Sequence, residues 1–252
     1  MNNSSLFVAS PCYNGQVHVS FMKSILGLQE ICTRLDIKFQ FFSVPFDSLI
    51  PRARNVCVSA FLNSDCNTMI FIDADIQFQP ISVIQMLKHD KDIVCAAYPK
   101  KILDFDKIKA SINNSNNLEE LIQQSTNYAI NYKINNKSIT IENNLTEVLD
   151  APTGFLMIKK DVFINMKEKH QNGKYINDIS AYGYGKEYYN FFPCGVYDGR
   201  YLSEDYGFCR IIQEMNYKVY CDVSVKLNHI GQFNYSGNLV EQLKNIEKSV
   251  KN

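Results

Sequence analysis

The sequence lacks a net charge and a membrane-length apolar run, and each absence excludes a class of protein. Its 26 basic and 26 acidic side chains cancel. This balance argues against a partner held by bulk charge, such as duplex DNA or an anionic membrane. No apolar stretch approaches the roughly 18 residues of a membrane span. The opening MNNSSLFVAS has no basic residue and no long apolar core, so we expect no signal peptide.

The sequence also lacks a cysteine motif. Its eight cysteines form no CxxC pair and no zinc-like spacing with the four histidines. Most stand in apolar or helical stretches, as Cys32, Cys57, Cys95 and Cys209 do, where a free thiol behaves as a small hydrophobe. Free thiols suit a reducing compartment. We therefore expect a cytoplasmic protein, in the host cytoplasm if the source is a virus.

What is present is an alternation of strand-like and helix-like segments. With 252 residues, of which 46% are hydrophobic, the chain is expected to form one domain with an insertion. Apolar spacing predicts strands over 5–10, 37–44, 68–72 and 92–98, and helices over 16–35, 51–64 and 80–89. Such alternation indicates βαβ units and a mainly parallel sheet flanked by helices. Ligands of these sheets bind beyond the carboxyl ends of the strands.

The second half of the chain is less regular. Residues 104–147 are polar and rich in asparagine, which predicts a surface insertion with a short helix and a hairpin. Further segments are then expected in this order: a strand with a following helix over 148–163, a long loop over 180–201, a helix over 202–215, a β-like stretch over 217–231, and a polar C-terminal helix over 237–252.

Two acidic residues follow the predicted strand in MIFIDADIQFQP. In an extended chain residues i and i+2 point to the same side, so Asp73 and Asp75 are expected to converge. Paired carboxylates at a sheet edge favour Mg²⁺ or Mn²⁺, which keep positions free for phosphate oxygens. A solvated loop with two acids is the alternative. If the strand that carries His229 ends near Asp73 and Asp75, the imidazole would complete the metal site and favour Mn²⁺. Otherwise His229 is a structural histidine.

The stretch LSEDYGFC places Glu204 and Asp205 at a predicted helix start. Adjacent residues cannot share one helix face, so we expect at most one of them in a cleft, as general base for a substrate hydroxyl. A helix N-terminus is expected to lower the pKa of Asp205 and keep it ionised. The alternative is that both acids only stabilise the helix dipole.

Two further stretches carry candidate binding residues. In IPRARN, Arg52 and Arg54 near a helix start could neutralise a diphosphate. The alternative is a surface helix that carries two arginines without a binding role. In SPCYNGQ, a turn follows the first strand and leaves Tyr13 free to stack on a planar base.

Seven stretches in order, PCYNGQ, SLIPRARN, FIDADIQFQP, CAAYPKK, APTGFLMIKKDVF, YLSEDYGFC and NHIGQFNYSG, carry a family resemblance. Together they resemble the GT-A-fold glycosyltransferases, in the family-2-like branch found in bacteria, phages and large DNA viruses. The resemblance spans most of the chain except 104–147. It implies a Rossmann-like GT-A domain that needs Mn²⁺ or Mg²⁺ and moves a sugar from a UDP-sugar to a glycan or another hydroxyl acceptor.

The resemblance also implies roles for single residues. Asp73 and Asp75 would form the Asp-x-Asp motif, and Asp205, beside Glu204, would be the catalytic base. The expected metal ligands are Asp73, Asp75 and His229. The resemblance extends the expected nucleotide-sugar site beyond Tyr13, Arg52, Arg54 and Asp73. The full expected set is Pro11, Tyr13, Arg52, Arg54, Asn55, Asp73, Ala74, Thr153 and Gly154.

Two other functions stay open. A nucleotidyltransferase acting on a sugar phosphate would also use an α/β sheet and paired aspartates, but residues 9–16 lack the basic residue of its phosphate loop. A non-catalytic nucleotide-sugar or glycan-binding protein is the other alternative, against which the Glu204–Asp205 pair speaks.

No carboxylate nucleophile opposite Asp205 is identifiable, so we expect transfer with inversion.

Overall fold

The structure is a computed structural model that describes residues 4–134, 138–169, 173–183 and 185–232. The C-terminal helix predicted over 237–252 lies outside these residues. None of the described helices is long and apolar enough to cross a membrane.

Strands and helices alternate through the first hundred residues, as predicted. The strands within the described residues are β1 (Ser5–Cys12), β2 (Lys38–Pro45), β3 (Thr68–Ile72), β4 (Ile76–Phe78), β5 (Ile93–Cys95), β6 (Pro99–Leu103), β7 (Thr126–Tyr128), β8 (Asn131–Tyr132), β9 (Leu145–Asp150), β10 (Phe155–Lys159), β11 (Lys174–Ile176), β12 (Glu187–Tyr189), β13 (Gly195–Tyr197), β14 (Arg200–Leu202), β15 (Val219–Asp222) and β16 (Leu227–His229). The helices are α1 (Val19–Arg34), α2 (Ile50–Leu62), α3 (Pro80–Lys88), α4 (Phe105–Ser111), α5 (Leu118–Gln124), α6 (Lys160–Lys169) and α7 (Glu204–Glu214).

The central sheet is mixed, and most of its strands run in one direction. Its order is β2-β1-β3-β10-β5-β15-β9-β8. The pairs β1–β2, β1–β3 and β5–β15 are parallel, whereas β9 and β10 run against the strands beside them. The predicted α/β fold class, a mainly parallel sheet flanked by helices, is therefore confirmed.

The antiparallel strand β10 positions part of the site. It lies between β3 and β5, with Phe155 opposite Ile72. Because the two strands are antiparallel, the residues that precede β10 lie beside the residues that follow β3. The segment Thr153–Gly154 is thereby brought next to Asp73.

The core lies on both faces of this sheet. Leu6 and Val8 of β1 face one hydrophobic cluster, and Phe7 and Ala9 face the other, since side chains alternate along a strand. Helices α1 and α3 cover the first face, and α2, α6 and α7 cover the second. The seven cysteines other than Cys194 are buried free thiols, as the sequence predicts for cysteine used as a hydrophobe.

The insertion and the loop over 180–201 are more structured than predicted. The insertion holds two short helices, α4 and α5, without a buried residue, instead of one. Its strand β7 pairs with β6, and β8 pairs with β9 at the sheet edge. The predicted loop contains the hairpin β13–β14, whose turn has Asp198 at φ 49° and Gly199 at φ 75°. This Asp-Gly pair is a hairpin signal that the prediction passed over.

Candidate active site

A cleft of about 820 Å³ opens where β1 and β3 end, the edge at which open α/β sheets bind ligands. It is lined by nine of the predicted site residues: Pro11, Tyr13, Arg54, Asp73, Ala74, Asp75, Glu204, Asp205 and His229. A second cavity of about 860 Å³, beside α2 and α6, contains none of them.

The Asp-x-Asp segment forms a tight turn and is not extended. The Asp73 amide donates to the Gly154 carbonyl at 2.9 Å, and the Ile76 amide donates back to the Asp73 carbonyl at 3.0 Å. The extended backbone from which the convergence of Asp73 and Asp75 was inferred is therefore absent. Both carboxylates nevertheless line the same cleft, and they have different partners.

Asp73 lies against the buried guanidinium of Arg54. Arg54 Nη2 is 3.4 Å from Asp73 Oδ1, and Arg54 Nε is 3.2 Å from Glu204 Oε1. Burial alone lowers the pKa of Arg54, but the charges of Asp73 and Glu204 outweigh it and hold the pKa above its ordinary value. The guanidinium also stacks on Phe71, with 5.3 Å to the ring centroid. Its third nitrogen, Nη1, is buried and has no hydrogen-bond partner among the described residues.

Asp75 lies between a histidine and a lysine. Its Oδ1 is 3.4 Å from His229 Nε2, and its Oδ2 accepts a hydrogen bond from the Lys101 ammonium. Burial raises the pKa of Asp75, but the bonds from His229 and Lys101 more than offset this and lower the pKa to about 2. The carboxylate is therefore ionised throughout the physiological range.

His229 reaches this position through strand pairing. It stands opposite Ile76 in the β16–β4 ladder, and the next amide, that of Ile230, donates to the Asp75 carbonyl at 2.9 Å. Its Nδ1 is 2.9 Å from the Pro99 carbonyl oxygen. A carbonyl only accepts, so Nδ1 carries a proton, and Nε2 is the ring nitrogen that faces Asp75.

The donor chemistry fits a divalent cation. Asp75 Oδ1 and His229 Nε2 lie 3.4 Å apart; a carboxylate oxygen and an unprotonated imidazole nitrogen are both metal ligands, and this mixed set suits Mn²⁺ better than Mg²⁺. The predicted third ligand, Asp73, is paired with Arg54 instead. Within the described residues no three histidine, cysteine or acidic side chains are already arranged to hold a metal.

Gly154 gives Asp73 the room it needs. A Cβ at this position would lie 2.4 Å from Asp73 Oδ2 and 2.7 Å from the Tyr98 hydroxyl oxygen. Thr153 is buried, and its hydroxyl has no partner among the described residues. Both residues border the predicted site from behind Asp73 and do not line the open cleft.

Glu204 and Asp205 both line the cleft, so the expectation of at most one is wrong. They are the first two residues of α7, and this end of the helix borders the cleft. Glu204 is paired with Arg54, whereas Asp205 accepts hydrogen bonds from the Ser203 hydroxyl and from the Tyr206 amide at 2.9 Å.

The pKa of Asp205 is raised and not lowered, contrary to the expectation from its place at a helix start. Burial is the largest cause, and the negative charge of Glu204 adds to it, against the lowering effect of the Ser203 hydrogen bond. A carboxylate with a raised pKa is a stronger base than an ordinary one, which suits proton abstraction near neutral pH.

The loop after β1 forms another wall of the cleft. Tyr13 is 64% exposed, so its ring is accessible to a planar base. The turn closes with the Gly15 amide donating to the Cys12 carbonyl at 2.8 Å, and Gly15 has a φ of 69°. The His18 amide donates to the Ala74 carbonyl at 2.9 Å, which ties this loop to the Asp-x-Asp turn.

The structure does not bring Arg52 or Asn55 into the cleft. Arg52 forms a two-pronged ion pair with the buried Asp47, at 3.0 and 2.8 Å. Asn55 is buried, and its side-chain oxygen accepts from the amides of Phe191 and Phe192 at 2.9 and 3.3 Å. Both side chains therefore stabilise the fold around the cleft.

Two cleft residues, Tyr98 and Lys101, received no role from the sequence. Burial and the nearby Asp73 raise the pKa of Tyr98 well above its ordinary value, and its ring packs edge-on to His229 at 5.0 Å between centroids. Tyr98 is the last residue of the strand predicted over 92–98, so the rule that found Asp73 at a strand end could have found it too.

No known protein family matches the sequence, and no curated protein does. The chain is similar to the solved structure of the inositol-1-phosphate CTP transferase from T. maritima, with a TM-score of 0.43 and 8% identity over 95% of this chain and 94% of that chain. It is also similar to a putative glucose-1-phosphate thymidylyltransferase from Bacillus anthracis, with a TM-score of 0.35 and 14% identity over 71% of this chain and 77% of that chain. The 4-diphosphocytidyl-2C-methyl-D-erythritolsynthase from Anaerococcus prevotii DSM 20548 has a TM-score of 0.33 and 8% identity over 70% of this chain and 80% of that chain.

The glycosyltransferase resemblance stays a prediction from the motifs.

Proposed function

We propose that this protein is a metal-dependent glycosyltransferase that moves a sugar from a UDP-sugar to a hydroxyl acceptor, with inversion. One observation carries the proposal: a single cleft holds the Asp-x-Asp turn, His229, the buried Arg54 and the carboxylate of Asp205. A donor diphosphate needs positive partners and an acceptor hydroxyl needs a base, and this cleft offers both.

The donor end of the cleft is formed by the β1 loop and the Asp-x-Asp turn. Tyr13 is placed to stack on the uracil ring. Arg54 is nine-tenths buried. Its Nη1, which has no partner among the residues that the structure describes, supplies a donor for a phosphate oxygen, to which a guanidinium gives a strong charge-assisted bond.

Asp75 and His229 would hold the metal ion, with Asp73 as a further oxygen ligand once its ion pair with Arg54 opens. A bound divalent cation acts as a Lewis acid that offsets the charge growing on the departing diphosphate. The protein's own part is to fix the two ligands: the Pro99 carbonyl fixes the ring of His229, and the β16–β4 pairing fixes its distance from the turn.

Asp205 is the proposed general base. Its carboxylate takes the proton from the acceptor hydroxyl as the acceptor oxygen bonds to the anomeric carbon. The bond from that carbon to the diphosphate oxygen breaks, and UDP leaves with the bonding electrons. Because the raised pKa of Asp205 strengthens it as a base, proton transfer can accompany attack.

The second candidate is a nucleotidyltransferase acting on a sugar phosphate, the kind of enzyme found among the similar structures. There the nucleophile is a phosphate, whose second pKa near 6 leaves it ionised at neutral pH. Such a nucleophile needs no general base, and the carboxylates of Glu204 and Asp205 would repel it. The site's acidic wall therefore favours a neutral hydroxyl acceptor.

The test is to incubate the protein with Mn²⁺ and a panel of UDP-sugars, and separately with nucleoside triphosphates and sugar 1-phosphates. We expect UDP release in the first set and no pyrophosphate in the second. Pyrophosphate release without UDP release would establish the second candidate. If the protein binds a UDP-sugar but releases no UDP, and no acceptor is found, it is a binding protein.

A further inference from the structure

Lys101 is a cation placed directly on a proposed metal ligand. It belongs to β6, and its ammonium donates to Asp75 Oδ2. Its aliphatic stem crosses Gly231, where an added Cβ would lie 2.9 Å from Lys101 Cδ. The stem is therefore guided toward the cleft, and the ammonium ends within it.

This position conflicts with a metal ion on the same carboxylate. Asp75 Oδ1 faces His229, and Oδ2 is taken by Lys101. A divalent cation held by Asp75 would lie within a few ångströms of the ammonium, where like charges repel strongly. The lysine must therefore leave Oδ2 when the ion arrives, or keep the ion weakly bound.

The cleft offers the lysine another partner once a donor is bound. Arg54 is paired with Asp73 and has no hydrogen-bond partner for Nη1 within the described part of the chain, while Lys101 is paired with Asp75. A diphosphate seated across the Asp-x-Asp turn would lie between these two cations. A lysine carries its charge on a flexible four-carbon stem, so it can change partners without a backbone shift.

We propose that Lys101 is the counter-ion of Asp75 in the free protein and moves onto the donor's diphosphate when metal and nucleotide bind. The inference rests on the proposed function, to which it adds a donor-binding residue and a binding order. The ammonium weakens metal binding while the nucleotide is absent and adds a phosphate contact when it is present. Metal and nucleotide therefore bind cooperatively, each strengthening the other by the same factor.

Lys101→Met removes the charge and keeps the length of the stem. Calorimetry is done with Mn²⁺ alone, with UDP at saturating Mn²⁺, and with UMP at saturating Mn²⁺. We expect the variant to bind Mn²⁺ alone about tenfold more tightly and UDP about tenfold less tightly, within the usual range of coupling between sites. UMP affinity should change little, because UMP lacks the second phosphate.

Lys100→Met is the matched control. Lys100 is the exposed neighbour on the same strand and does not line the cleft, so its variant should match the wild type in all three titrations. The inference is overturned if Lys101→Met binds Mn²⁺ no more tightly than the wild type, or if it loses UDP and UMP affinity equally. Failure of the proposed function looks different: the wild type then binds no UDP, while the Mn²⁺ titration still decides whether Lys101 competes for Asp75.

Discussion

Arg54 bonds Glu204, a residue 150 positions further along the chain, through Nε at 3.2 Å. The same guanidinium reaches Asp73. One buried cation thus joins the turn proposed to bind the donor to the helix proposed to carry the base. Neither half of the cleft is positioned independently of the other.

Arg54→Met should therefore destabilise the protein as well as weaken nucleotide binding. It leaves two poorly solvated carboxylates facing each other, and breaking a buried ion pair in this way typically costs about 3 kcal/mol or more. Urea unfolding measures the loss. Adding Glu204→Gln to the variant removes one of the stranded charges and should restore part of the stability; if the double variant is less stable than Arg54→Met, the pairing matters less than we argue.

Asp205→Asn should leave UDP and Mn²⁺ binding unchanged while transfer to an acceptor falls by at least about a hundredfold, the lower range for a positioned base. In the wild type the rate should fall as the pH drops through the raised pKa of Asp205, because protonation removes the base. This acid limb should disappear in the variant. Parallel loss of UDP binding would argue against the role of base.

Asp205→Asn, which should lower the transfer rate, should not lower the stability of the fold. A carboxyl whose pKa is raised on folding stabilises the fold below its unfolded pKa of 3.8, and this contribution is lost as the pH rises through the folded pKa. At neutral pH the ionised Asp205 therefore lowers the free energy of unfolding. Asp205→Asn should therefore be at least as stable as the wild type at pH 7 in urea unfolding, and a clear loss of stability would contradict the burial argument.

Gly154→Ala should weaken donor and metal binding. The new Cβ would lie 2.4 Å from Asp73 Oδ2 and 2.7 Å from the Tyr98 ring, so both side chains must move. Gly195→Ala is the control, since its Cβ would make only an ordinary contact at 3.5 Å. Calorimetric affinities for UDP with Mn²⁺ should fall for the first variant alone; equal affinities would remove Gly154 from the site.

Much of the fold could be predicted because its patterns are local. The continuous apolar run of Leu6, Phe7 and Val8 indicates a strand that is buried on both faces, and the proline at the start of α3 indicates the beginning of a helix. The antiparallel insertion of β10 between β3 and β5 could not be predicted, since both faces of these strands are apolar and no local pattern selects a partner.

The site was predictable where a strand end marks it, as at Asp73 and Asp75. The site was not predictable at residues whose role depends on a hydrogen-bond or ion-pair partner that lies elsewhere in the fold. Arg52 is occupied by Asp47, and Asn55 by backbone amides, neither of which a motif reveals. Lys101 stands on a strand that is mostly exposed, so hydrophobic patterning gives no signal for it.

The most direct test of the central claim is a calorimetric titration of UDP, with and without Mn²⁺, on the wild type and on Asp75→Ala. Our account predicts that Mn²⁺ strengthens UDP binding in the wild type and that the alanine variant loses this effect while it still folds. Equal UDP affinity with and without Mn²⁺ in the wild type, or an undiminished effect of Mn²⁺ in Asp75→Ala, would contradict the account.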